Sequence, residues 1–89
     1  MRAVVTVIGI DKTGIIAKIS NKLYEEDINI LDITQTIMGD IFTMIMLVDV
    51  KADKTDFAAL VAEMKALGEE IGVEVTVTRD DIYKSMHRI

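Results

Sequence analysis

The sequence predicts an α+β fold: a βαββαβ sandwich in which an antiparallel four-stranded sheet carries two helices on one face, with a short C-terminal helix added. Three observations predict it. Two segments place apolar residues at helical spacing, and four are β-branched or alternating over strand length. These segments come in the order strand, helix, strand, strand, helix, strand. The central pair is separated only by Gly39-Asp40, a turn too short for anything but an antiparallel hairpin. Right-handed crossovers then lead to the ferredoxin-like arrangement.

Residues 3–8, Ala-Val-Val-Thr-Val-Ile, read as a strand buried on both faces that stops at Gly9. Residues 14–27 read as a helix with Ile15, Ile16, Ile19 and Leu23 on one side and Lys18, Asn21, Lys22 and Glu25 on the other. Asp11 or Thr13 is suited to cap it. From Asn29 to Met38, Leu31, Ile33 and Ile37 alternate with Asp32, Thr34 and Thr36, as on a half-buried strand. Ile41 to Val50 is its hairpin partner.

The second helix is expected from about Thr55 to Ile71, with a stripe of Phe57, Leu60, Val61, Met64, Leu67 and Ile71. Asp53 or Thr55 would cap its start and Gly72 would end it, while Gly68 interrupts the pattern. Val73 to Thr78 alternates as a last strand with one wet face, and residues 80–89 form a short tail helix with Ile82, Met86 and Ile89 on one side. The whole, residues 1–89, is read as one domain with a core at 2–79 and the tail beyond it.

Two helices cover only one sheet face, yet both faces of the first and third strands are apolar. Val5 and Val7 oppose Val4 and Ile8; Phe42, Met44, Met46 and Val48 oppose Ile41, Ile45 and Leu47. A monomer rarely leaves such a face in water. A second chain or the tail helix is expected to cover it, and a homodimer or higher homo-oligomer is the expected state.

Composition excludes several functions. Without cysteine there is no disulfide, zinc–thiolate site or thiol nucleophile. The single histidine, His87, has no companion ligands, so neither a metal site nor a cofactor is expected. Ser20 and Ser85 have no neighbouring base and no nucleophile-elbow motif. The net charge of −5 and four aromatic residues argue against a nucleic-acid surface. No apolar run approaches the ~20 residues of a membrane span, so a cytoplasmic protein without membrane association is expected.

Gly9-Ile10-Asp11-Lys12-Thr13-Gly14 begins like a phosphate loop, but Ile15 and Ile16 stand where Lys and Ser or Thr belong. The turn still offers backbone amides at a helix start, where a carboxylate can bind, or it is simply a capped corner.

The stretch Val5 to Ile16, together with Asn29-Ile30-Leu31-Asp32-Ile33 in the same element order, resembles an ACT domain. Gln35-Thr36-Ile37-Met38 before Phe42-Thr43-Met44 makes it similar to stand-alone bacterial and archaeal ACT proteins. The resemblance covers about residues 2–79. It implies pairing by sheet edges or faces, an amino acid or other small carboxylate at the pair interface, and action on a partner enzyme or regulator. Carried over by position, the ligand-binding candidates are Asp11, Lys12, Thr13, Gly14, Ile15, Asn29, Leu31 and Asp32, with no catalytic residues. The amides of Gly14 and Ile15 would hold a carboxylate, and Asn29 or Asp32 an ammonium group. Asp32 also reads as an edge charge that discourages stray pairing, and Asn29 as a turn residue.

A non-catalytic regulatory module is therefore the leading expectation. The alternatives are a ligand-free structural dimerisation or protein-interaction module and a small acylphosphatase-like enzyme. The last needs an arginine at the turn, and Arg2, Arg79 and Arg88 are all remote from it in sequence.

Overall fold

A computed structural model describes residues 1–10, 13–51 and 53–86, the last without its side chain. Its elements are β1 (Arg2–Ile10), α1 (Ile15–Glu25), β2 (Asn29–Met38), β3 (Ile41–Asp49), α2 (Phe57–Ile71), β4 (Val73–Arg79) and α3 (Asp80–Met86). The sheet is antiparallel throughout in the order β2-β3-β1-β4, which leaves β2 and β4 as its edges. The expected ferredoxin-like arrangement is the one found.

Alternation fixes which side of each strand is covered. Ala3, Val5 and Val7 of β1, Phe42 to Val48 at every second position of β3, and Val73, Val75 and Val77 of β4 are buried. They meet Ile15, Ile19 and Leu23 of α1 and Leu60 and Met64 of α2 in a single core. Burying side chains of this kind is worth about 1.5–3 kcal/mol each. Ile16 lies off the α1 stripe and is exposed.

β1 does not stop at Gly9. It runs on to Ile10, and Gly9 is required for packing: a Cβ there would stand 2.6 Å from Cγ1 of Val73, its partner on β4. Gly68 has a similar cause. A Cβ would lie 2.7 Å from the Val73 carbonyl oxygen and 2.8 Å from Cγ2 of Val75, so the missing side chain lets α2 settle on β4.

The helix ends differ in part from expectation. α2 starts two residues late and is capped by Asp56, whose carboxylate accepts from the Ala59 amide at 3.2 Å, rather than by Asp53 or Thr55. Gly72 closes it in the left-handed conformation. α1 ends at Glu25 in a Schellman motif: the Ile28 amide donates to the Leu23 carbonyl at 2.9 Å and the Asp27 amide to that of Tyr24 at 3.0 Å. Asp27 takes the left-handed position, with φ 58°.

The uncovered sheet face is apolar, as expected. Ile8, Ile10, Ile41 and Ile45 are exposed on it, beside Met38 at the end of β2. The short α3 packs back on β1 and β4 at the opposite end, where Val4 is buried. The tail helix thus shelters one end of the face and leaves the rest open. Met44 and Met46 fill the core, whereas Met38 is in solvent. Residues 33–38 of β2 are exposed on both sides, where alternation suggests half-burial, because α1 barely reaches this edge, whereas α2 packs along the other edge, β4.

Candidate ligand site at the β1–α1 turn

The turn places Gly14 as the N-cap of α1 with φ 92°, a conformation that glycine adopts without strain. Among the described residues no side chain caps this helix start, so Thr13 does not play the part expected of it. Asp11 and Lys12 lie outside the described residues. The Gly14 carbonyl accepts the Lys18 amide at 3.0 Å, while the first amides of α1 have no partner within the helix. They carry the positive end of the helix dipole.

Beside these amides is a cavity of about 270 Å3 lined by Thr13, Gly14, Ile15, Lys18, Glu70 and Ile71. The Ile15 side chain belongs to the core, so its amide is the part of it that a ligand can use. Lys18 projects from α1 one turn after Gly14, and Glu70 from the last turn of α2. Neither side chain has an ion pair or hydrogen bond among the described residues. A carboxylate held by amides and an ammonium group near Glu70 are the complementary halves of an amino acid.

Lys18 was within reach of sequence reasoning, since it comes after Gly14 at helical spacing. Glu70 was not: only the packing of the end of α2 beside the start of α1 brings it here.

The remaining candidates are elsewhere. Ile10 and Met38 both pair with Ile41, whereas Asn29 and Arg2 both pair with Asp49. Asn29, Leu31 and Asp32 therefore stand at the far end of the sheet, about 25 Å from the turn along the strands. Asn29 and Asp32 are exposed, and Asp32 accepts a hydrogen bond from the Ile33 amide at 2.9 Å. Leu31 is the extra residue of a bulge between Ile30 and Asp32. One chain does not bring the two groups together.

Ion pairs are confined to the surface. Lys51 donates to Asp27 at 2.7 Å; this bond, aided by the lysine charge, holds the Asp27 carboxyl below its usual range and raises Lys51. Lys22, bonded to Glu26 at 3.0 Å, is also raised. Among the described residues no cluster of His, Asp or Glu is arranged to hold a metal, and no helix is long and apolar enough to cross a membrane.

The fold is a small α+β module in which the start of α1 lies beside a cavity lined in part by Lys18 and Glu70. Residues 2–78 match the model of the ACT domain, and the chain belongs to that family. It is 58% identical over 88 residues to a UPF0237 protein of Methanocaldococcus jannaschii, covering 99% of this chain and 98% of that one. Its fold is similar to that of an ACT domain protein from Streptococcus pneumoniae, at 38% identity and TM-score 0.83, with 94% of each chain covered. It is also similar to the ACT domain from a GTP pyrophosphokinase of Chlorobium tepidum, at 28% identity and TM-score 0.62, with 86% and 94% covered.

Proposed function

We propose that the chain is a non-catalytic regulatory module that senses an amino acid at a homodimer interface and acts through a partner enzyme or regulator. The observation that carries this reading is the β1–α1 turn: helix amides with no partner among the described residues, beside Lys18 and Glu70, around a space of amino-acid size. Family membership supports the regulatory class, as does the likeness to a domain of a GTP pyrophosphokinase.

The second half of the site comes from a second chain. β2 is an edge strand whose residues 33–38 carry no charge and are exposed. Such an edge invites pairing. In an antiparallel β2–β2 union, the partner chain's Asn29 and Asp32 move toward this chain's Met38 end, the end that holds the turn. Binding then signals only to the extent that the ligand prefers one arrangement of the pair.

The ligand-free pairing module keeps one observation in its favour, the apolar row of Ile8, Ile10, Ile41 and Ile45, which needs no ligand to drive association. Against an acylphosphatase-like activity, Arg2 and Arg79 flank the opposite end of the sheet from the turn. Calorimetry with a panel of free amino acids tests the sensing reading. Saturable heat that is lost in Glu70→Gln supports it; no heat from folded, dimeric protein leaves the pairing module.

A further inference from the structure

The other sheet edge has features that amino-acid sensing does not use. β4 has no neighbour on its outer side. Along it runs a groove of about 650 Å3, floored by Val73 to Thr78 and flanked by Val61, Lys65 and Glu69 of α2. The flank is electrostatically unfinished. α2 ends in Glu69 and Glu70 with no basic residue in its last turn, so carboxylates sit at the negative end of the helix dipole. Glu69 has no ion pair among the described residues.

We propose that this edge takes a second copy of the chain, joined β4 to β4 antiparallel about a two-fold axis at Thr76. Three arguments select that occupant and register. Val73, Val75, Val77 and Arg79 face the helices, while Glu74, Thr76 and Thr78 face the open side. Paired residues must share a face, so the axis passes through a residue and not between two. Only an axis at Thr76 pairs all seven residues of the strand: Val73 with Arg79, Glu74 with Thr78, Val75 with Val77, and Thr76 with itself. No like charges meet in that register, and like charges directly opposite would destabilise it.

The third argument is charge. Gly68 rests on Val73 and Val75, and α2 runs antiparallel to β4, so Glu69 stands over the Val73 end of the strand. The paired register carries the partner's Arg79, on the same side of the sheet, to that end. Arg79 is half exposed and among the described residues holds only Asp81 of its own chain, at 3.1 Å. Two symmetric Arg79–Glu69 pairs would then close the interface and supply the missing cation at each α2 terminus. The two Lys65 side chains flank the axis and are long enough to splay toward solvent. The result is a sheet continuous across eight strands, with the β2 edges free at its outer limits for pairing of their own.

The chain has no cysteine, which permits a clean test. Thr76→Cys places two thiols directly opposite across the axis, within disulfide range. Under mild oxidation it should form a covalent dimer at least about tenfold faster than Ser85→Cys on exposed α3, because the pair is pre-assembled. Thr76→Glu and Thr76→Lys should each sediment as smaller species with unchanged circular dichroism, and their equimolar mixture should recover the parent mass. Cross-linking of Thr76→Cys no faster than Ser85→Cys, or unchanged mass in both charged variants, overturns the β4 interface. Thr34→Cys reports separately on the β2 edge, so failure at one edge leaves the other decided on its own result.

Discussion

Gly68 lies against Val75 so closely that a Cβ on the glycine would stand 2.8 Å from the valine Cγ2 and 2.7 Å from the Val73 carbonyl oxygen. The backbone oxygen cannot rotate away. Gly68→Ala is therefore expected to destabilise the fold although alanine favours helix by about 1 kcal/mol. Overpacking costs about 1–3 kcal/mol, so a net loss of up to about 2 kcal/mol should appear in urea unfolding. A gain in stability would show that α2 can lift off β4 without penalty.

Asp27 occupies the left-handed position that ends α1, where glycine is the usual residue. A non-glycine residue pays about 1 kcal/mol or more for that conformation. Asp27→Gly should raise the midpoint of thermal unfolding or leave it unchanged, since the ion pair it sacrifices is exposed. Asp27→Val should lower it, because β-branching makes the same φ harder to reach.

The Asp27–Lys51 pair also predicts a pH dependence. The carboxyl is held below its usual 3.8 by the hydrogen bond and charge of Lys51. Its contribution is thus present above 3.8 and lost as pH falls through the lowered value. Lys51 is raised above 10.5, so its contribution holds below that value and is lost as pH rises through the raised one. Both groups are exposed, and salt should shrink the effect. NMR titration should find the Asp27 carboxyl returning toward its ordinary range in Lys51→Met; no movement would break the assignment.

Helix capping separates two readings of one loop. Asp56→Ala should cost about 1 kcal/mol by removing the acceptor for the Ala59 amide. Asp53→Ala and Thr55→Ala should stay within about 0.5 kcal/mol, as surface changes do.

At the turn, Lys18→Ala should weaken any amino acid that Glu70→Gln also weakens, each by about tenfold, as expected from losing one charged contact. Unfolding midpoints should not move, because neither side chain is tied to the fold. Loss of stability in either variant would reassign these charges to structure.

Much of this architecture could be read from the chain. β2 begins and ends at the expected residues because Asn29 and the Gly39-Asp40 turn mark its limits. Gly9 misled as a terminator: its reason is the closeness of Val73, a partner sixty-four positions away in sequence. Asp56 was overlooked among three capping residues because only the backbone conformation distinguishes them. Of the site, the turn was legible from Gly14 and the helical run that begins at Ile15, whereas Glu70 belongs to it through helix packing alone. The alternation in β2 was also legible from Ile33 onward, but its first part concealed an irregularity.

That irregularity has a consequence for change in length. With Leu31 as a surplus residue, Ile30 lies opposite Val48 and Asp32 opposite Leu47. Removing Leu31 would restore a plain ladder and leave every later side chain pointing as before. Removing any single residue from 33 to 37 would instead invert part of the strand, exchanging the sides taken by its isoleucines and threonines. A deletion scan of β2 should therefore have one permissive position, and it should be the one where the strand already has a link to spare.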